Sequence, residues 1–485
     1  MKGLLEGIMI FSSLFFILFF LPVFTFIYYK APDIRRKNTV LLIFSLIFYA
    51  WGGLRYLVLL FAMTGAGWIS ALQIQKYTHD KKRRKFWLIL SVAILLAVLG
   101  IFKYTGFFMG TLGTLFRQDW EILSFALPLG ISFYTFKLIS YLADVYQNKT
   151  PAENSYWIML MYTGLFHHCM AGPIVRYSSI RTELTDRKTS PEAIAAGIYR
   201  FCIGLAKKSS LADHCGALAN SLMPLSSDLA NTPASGIWLG ALFYMLQIYL
   251  DFSAYSDMAI GLGWMIGFHY EENFNYPYIA SSVKDFWKRW HISLSSFFRD
   301  YVYIPLGGSR CSVRRTTLNL LAVWALTGLW HGASWNYVLW GLYYFAFIVF
   351  ENWRQKNQAK PWHPALNHVY TLAVVYVGWI FFRFESFSSL GTAFRGMFGL
   401  NHNGFTNAAV GIKLKNNIFF LIFAVIAVTP LFSRLRKYLE NYLRSRGQSQ
   451  VPVYAGKLVI AILLLILSIF ALVGNSYSPF LYYQF

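Results

Sequence analysis

Charge is what this sequence has least of. Charged residues fill 13% of its 485 positions, and only 21 residues are Asp or Glu. A soluble domain carries about 25% charged residues, so roughly half the usual charge is missing. A water-facing surface made from the remainder would expose large apolar patches and aggregate, which excludes an ordinary soluble fold. Cysteines number four, at Cys169, Cys202, Cys215 and Cys311, and no two form a C-x-x-C pair. Neither a zinc site nor a disulfide framework is suggested, and buried free thiols packing as small hydrophobes are expected. There is no Walker A loop, G-x-S-x-G elbow, H-E-x-x-H helix or dinucleotide fingerprint. ATP-driven transport and standard hydrolase chemistry are therefore disfavoured. Internal repeats of the kind that mark inverted-repeat transporters are absent too. No low-complexity tract or long linker divides the chain, so one domain over 1–485 is expected.

The missing charge is replaced by apolar and aromatic residues. Hydrophobic side chains reach 56%, with 44 Phe, 32 Tyr and 16 Trp, and the mean hydropathy is +0.45. Aromatics with one polar handle suit a membrane interface. Apolar runs recur at 8–29, 38–50, 54–74, 86–103, 122–142, 156–172, 194–206, 236–250 and 254–268, and again at 316–330, 334–350, 369–383, 418–432 and 457–474. The fold class expected is an all-α polytopic integral membrane protein with roughly ten to twelve spans, some of them tilted or re-entrant. No small-residue cleavage site follows the first run, which reads as a retained span and not a signal peptide.

The net charge of +22 comes from 43 Lys and Arg. They sit in short runs between apolar segments, which is a positive-inside pattern; membrane lipids are the expected partner and nucleic acid is not. Lys30, Arg35, Arg36 and Lys37 form one cluster, Lys76 and Lys81 to Lys85 a second, and Arg434, Arg436, Lys437, Arg444 and Arg446 a third. With these cytosolic, both termini and the Trp51-Gly52-Gly53 turn fall outside.

Three segments place polar or ionisable groups among apolar ones, where each is a functional candidate. In Trp330-His331-Gly332-Ala333-Ser334-Trp335, helical spacing puts Trp324, Gly328, His331 and Trp335 on one face. Gly328 and Gly332 would leave room there for a substrate or another backbone. A neutral imidazole in such a surround suits a general base, while a core histidine bonded to a neighbouring helix is the other reading. Lys284-Asp-Phe-Trp-Lys-Arg-Trp-His291, continuing to Arg299-Asp-Tyr301 and Pro305-Leu-Gly-Gly308, mixes charge with aromatics and fits an interfacial or re-entrant helix. With Arg310, Arg314 and Arg315 it forms a basic rim suited to coenzyme A phosphates, an acidic carrier or anionic lipid heads. In the third segment, Asp251 and Asp257 cost about 2.5–3.5 kcal/mol each unless paired. They pair with basic residues or cap helices; paired-carboxylate hydrolysis is the weaker alternative.

These segments resemble those of the membrane-bound O-acyltransferase family, in particular a bacterial branch that includes an alginate O-acetylation membrane protein. The likeness is carried by Phe286-Trp-Lys-Arg-Trp-His-Ile-Ser-Leu-Ser295, Tyr303-Ile-Pro-Leu-Gly-Gly308 and Thr327-Gly-Leu-Trp-His-Gly-Ala-Ser-Trp-Asn336. Phe48-Tyr-Ala-Trp51, Ala171-Gly-Pro-Ile-Val-Arg176 and Asp251-Phe-Ser-Ala-Tyr-Ser-Asp-Met-Ala259 add to it, in consistent order from about residue 10 to the end. The resemblance implies a helical bundle that moves an acyl group from a cytosolic thioester to a hydroxyl. It makes His331 catalytic and places His291 on the cytosolic approach. The donor implied is acetyl-CoA or an acyl-carrier thioester, docked near Lys288, Arg289 and Arg310, with no permanently bound cofactor and no metal.

The last residues, Phe480-Leu-Tyr482-Tyr-Gln-Phe485, fit the F-x-Y-x-x-F ending of that branch. By analogy with a teichoic acid D-alanylation system, Tyr482 would be a transient acyl acceptor. A phenol with pKa about 10 gives an ester that donates its acyl group better than an alkyl ester does. An aromatic belt at the interface is the alternative, and Tyr483 stands where the motif commonly has Phe. The function expected is export of acetyl groups for O-acetylation of an extracellular polysaccharide, with an SGNH-type extracytoplasmic acetyltransferase as partner and a cytosolic acyl carrier as a second one. Peptidoglycan O-acetylation, teichoic acid D-alanylation, and a channel or scaffold without chemistry are the competing expectations.

Overall fold

A computed structural model describes residues 9–118, 120, 125–170, 172–445, 451–474 and 480. Among these there is no β-strand. The helices are α1 (Leu21–Lys30), α2 (Ile34–Trp51), α3 (Arg55–Lys76), α4 (Lys81–Phe116), α5 (Ile131–Tyr146), α6 (Tyr156–Gly164), α7 (Tyr177–Thr185), α8 (Pro191–Ala206) and α9 (Asp213–Leu222). They continue as α10 (Ala234–Ile266), α11 (Val283–Arg289), α12 (Ile292–Phe298), α13 (Val313–His331), α14 (Trp335–Lys356) and α15 (Pro364–Arg383). The last four are α16 (Phe387–Met397), α17 (Ala408–Ala427), α18 (Leu431–Ser445) and α19 (Val451–Gly474). Six helices among the described residues, α3, α4, α10, α15, α17 and α19, are long and apolar enough to cross a bilayer. This is fewer than the ten to twelve expected. The runs at 122–142 and 156–172 fold as shorter helices, and the separate runs at 236–250 and 254–268 fuse into the 33-residue α10.

The chain divides into two compact units, 1–201 with 255–272 and 472–483, and 202–254 with 273–471 and 484–485. In the first, α2 and α3 form the expected hairpin, and Gly53 takes φ +135 at its turn, a conformation that favours glycine. Asp33 accepts a hydrogen bond from the Arg36 amide at 2.9 Å and so caps α2. Asp80 does the same for Lys82 and Arg83, each at 3.1 Å, at the start of α4.

The second unit is organised around α13 and α14. A Cβ on Gly328 would lie 2.3 Å from the Tyr337 carbonyl oxygen, and one on Gly341 would lie 2.3 Å from that of Trp324. Small residues thus let the two backbones meet directly. The helices run antiparallel, so Arg314, Arg315, Arg354 and Lys356 gather at one end and His331 and Trp335 at the other. Between Arg314 and His331 the helix rises about 26 Å, close to the roughly 30 Å of a hydrocarbon core.

Residues 283–308 form a short helical hairpin against this pair. At its outer edge the backbone N–H groups of Val283 and Lys284 donate to the Glu351 carboxylate at 2.6 and 3.1 Å. The Lys284 ammonium donates to Asn352 and Gln355 at 3.0 Å each. From this anchor α11 descends, the chain reverses at His291 (φ 44), and α12 leads back toward Gly308, whose carbonyl accepts from Asn319 near the start of α13 at 3.2 Å. A re-entrant element with its histidine at the tip is the result.

Candidate active site

Both motif histidines end up in one aromatic cluster of the second unit. His331 is the last residue of α13 and is 4% exposed. Its ring centroid lies 4.9 Å from Trp340, 5.2 Å from Phe382 and 5.0 Å from Trp330. Trp330 also reaches His291, with centroids 5.8 Å apart, so one indole bridges two histidines that are 40 positions apart in sequence. Trp287 of α11 completes the wall against Trp324 (4.9 Å), Trp340 (5.5 Å) and Tyr344 (4.9 Å).

His291 is fully buried and hydrogen-bonded. Its Nδ1 lies 3.2 Å from Asn273 Oδ1, an oxygen that also accepts from the Ser293 amide at 3.1 Å and the Ser293 hydroxyl at 2.8 Å. Because Asn273 Oδ1 only accepts, the proton sits on His291 Nδ1 and the lone pair on Nε2. His291 lies outside the six spanning helices, and burial pushes its imidazole down to about 3, so the ring is neutral at physiological pH. Phe252 packs edge-on against it at 4.7 Å.

One sequence expectation is corrected here. Trp335 does not share a helical face with Trp324, Gly328 and His331. The helix ends at His331, Gly332 is extended, and Trp335 opens α14 with 49% exposure. A Cβ on Gly332 would meet the Tyr337 ring at 2.1 Å, so close packing of α14 fixes the break at that glycine. The room beside Gly328 is likewise taken by the α14 backbone.

The basic candidates are not buried with the histidines. Lys288 and Arg310 are exposed, while Arg289 is half-buried and pairs with Asp285 at 2.9 Å. Asp251 and Asp257 are consumed by ion pairs, the blander of the two readings. Asp251 meets Lys208 at 2.8 Å, and Lys208 also meets Asp213 at 2.7 Å. In the first unit Asp257 meets Arg200 at 3.0 Å. Tyr482 lies outside the described residues. Phe480, which opens the same motif, is buried in the first unit with its ring 5.1 Å from Tyr255.

Sequence reading missed three features. Asn273 orients His291 but belongs to no motif. Arg383, at the end of α15, looks in sequence like a flanking cation of a span. In the structure it is 9% exposed and donates to Asn220 Oδ1 at 2.9 Å and the Met223 carbonyl at 2.7 Å, with Tyr244 4.9 Å away. It forms no ion pair among the described residues, and it fixes the chain beside Phe382, the ring packed on His331. The third is a buried pair in the first unit, where His167 bonds to Tyr270 and His168 to Lys137. Nothing in the spacing of those residues announces it.

The family model of the membrane-bound O-acyltransferases matches residues 153–393, which include His291, His331, Asn273 and Arg383. The chain is 36% identical to the probable alginate O-acetylase AlgI of Pseudomonas aeruginosa, across 98% of this chain and 100% of that one. Identity to the probable alginate O-acetylase AlgI of Azotobacter vinelandii is 35%, with the same two coverages. The peptidoglycan O-acetyltransferase of Helicobacter pylori is 33% identical, across 81% of this chain and 80% of its own. With two histidines set in one buried aromatic cluster and relatives matched end to end, this polytopic helical protein belongs to the membrane-bound O-acyltransferase family.

Proposed function

We propose that the chain is a single-domain membrane O-acetyltransferase that passes acetyl groups from a cytosolic thioester across the bacterial cytoplasmic membrane, for O-acetylation of an extracellular, alginate-like polysaccharide. The observation that carries the mechanism is the placing of His331. It lies buried among rings, about 26 Å along α13 from the arginines at the other end of that helix. A donor entering from the cytosol would dock near Lys288, Arg289 and Arg310, and His331 would lie at a constriction within the membrane. Both termini would then lie outside.

In the reaction, a neutral His331 accepts the proton of the attacking hydroxyl. The oxygen adds to the thioester carbonyl, the C–S bond breaks, and the proton passes from the imidazolium to the departing sulfur. An ester and a free thiol result, with no net proton released. His291, already neutral and tethered to Asn273, holds Trp330 against His331 and serves as a positioning residue. Tyr482 is the proposed first acceptor, from which an extracytoplasmic acetyltransferase would move the acetyl group to the glycan. Similarity along the whole chain to the alginate O-acetylases, against four-fifths for the peptidoglycan O-acetyltransferase, supports this acceptor class over peptidoglycan.

The test is acetate released by mild base from the cell envelope and from secreted glycan, in a deletion strain complemented at equal membrane levels. Wild type should restore acetate and His331→Ala should not; the fraction that regains acetate identifies the acceptor. Equal restoration by both would remove the histidine mechanism and favour a channel or scaffold. Release of D-alanine in place of acetate would change the donor.

A further inference from the structure

We infer that α18 is an in-plane membrane-surface helix that binds anionic phospholipid headgroups at the basic end of the second unit. The inference is independent of the transfer chemistry. Leu431, Phe432, Leu435, Tyr438, Leu439 and Tyr442 are all between 41% and 66% exposed. At 100° per residue these six fall within an arc of about 120°. Arg434 and Arg436, both exposed, flank that arc on either side, and the exposed Lys437 lies opposite it. The single acid of the helix, Glu440, is engaged by Lys457 at 3.0 Å and by Arg436 at 3.8 Å. Arg434 and Lys437 form no ion pair among the described residues. Of the apolar stripe, Phe432 meets the Phe423 ring of α17 at 5.9 Å and is still 49% exposed.

The neighbours of α18 say what covers it. It joins α17 and α19, two spans whose apolar windows are each only 11% buried by protein and so face lipid. The connection therefore lies at a membrane surface, where an apolar stripe sinks below the headgroups and the cations sit at phosphate level. Chain direction says which surface. α15 starts near Lys356 and Lys360 and ends at Arg383, on the His331 side; α17 crosses back, so α18 returns to the side of Arg314 and Arg354. An acidic carrier protein is the competing occupant. It would neutralise Arg434 and Lys437 but leave six large apolar side chains in water, whereas an anionic leaflet satisfies both faces.

The test is native mass spectrometry of the full chain released from vesicles of phosphatidylcholine mixed with phosphatidylglycerol, counting each retained lipid. Wild type should hold phosphatidylglycerol preferentially, with the preference falling as salt rises. Arg434→Gln with Lys437→Gln should lower that preference about thirtyfold, the scale set by about 1 kcal/mol for each of two cations at an anionic surface. An unchanged preference in the double variant, or a salt-independent one in wild type, overturns the assignment. So does a variant that loses affinity for an acidic acyl carrier while keeping its lipid selectivity.

Discussion

Two clusters in the second unit both bury ionisable groups, and they handle them in opposite ways. Around Lys208, every charge meets another: the ammonium lies between Asp213 at 2.7 Å and Asp251 at 2.8 Å. Around His331 the nearest neighbours are the rings of Trp330, Trp340 and Phe382. A buried charge matched by its neighbours fixes structure, because removing one partner strands the other. An imidazole packed on rings has no carboxylate of its own to strand when it is removed. The same sequence signal, an ionisable residue in an apolar run, thus leads to two different roles.

The sharpest way to break this comparison is Lys208→Met. It should destabilise the protein by about 3–5 kcal/mol by leaving two carboxylates unmatched, read as a fall in thermal midpoint in detergent. His331→Ala should lower that midpoint less, by the cost of a cavity among rings and without stranding two carboxylates, and a comparable fall would place the two residues in the same class. Next in size is Arg383→Met. Loss of the bonds to Asn220 and Met223 should free the end of α15 and the Phe382 ring, lowering kcat about tenfold to a hundredfold with KM little changed. Arg383→Lys should recover part of it, since one ammonium can still reach the Met223 carbonyl. A KM effect without a kcat effect would instead put Arg383 in substrate binding.

The smallest effect concerns pH. His291 is held neutral in the fold, with its pKa pushed down to about 3 by burial, against about 6.5 unfolded. Between those values the unfolded chain binds a proton that the native chain does not, so stability falls as pH drops from about 6.5 toward 3. Unfolding midpoints from neutral pH downward should show a shallower decline for His291→Gln than for wild type. Parallel curves would mean that the native ring titrates normally.

Much of this arrangement is legible in the sequence. The Gly52-Gly53 turn, the re-entrant character of 284–308 and the histidine motifs all follow from local composition. What sequence does not reveal depends on partners that are distant along the chain. Asp251 and Ser253 look like a break between two spans, yet α10 continues through them because Lys208 neutralises the acid. Gly332 could continue a helix, yet it is extended, and the Tyr337 ring fills the space a side chain there would need. Arg383 ends an apolar run like any flanking cation, and only the carbonyl of Met223, 160 positions earlier, draws it inside.

The central claim is that the imidazole of His331 performs the transfer. The direct measurement is free thiol released from an acetyl thioester by purified protein in sealed vesicles, for wild type and for His331→Ala at matched incorporation. Loss of a general base should slow release about a hundredfold to ten-thousandfold in the variant. Equal thiol release by the two proteins would contradict the account and make His331 a core histidine.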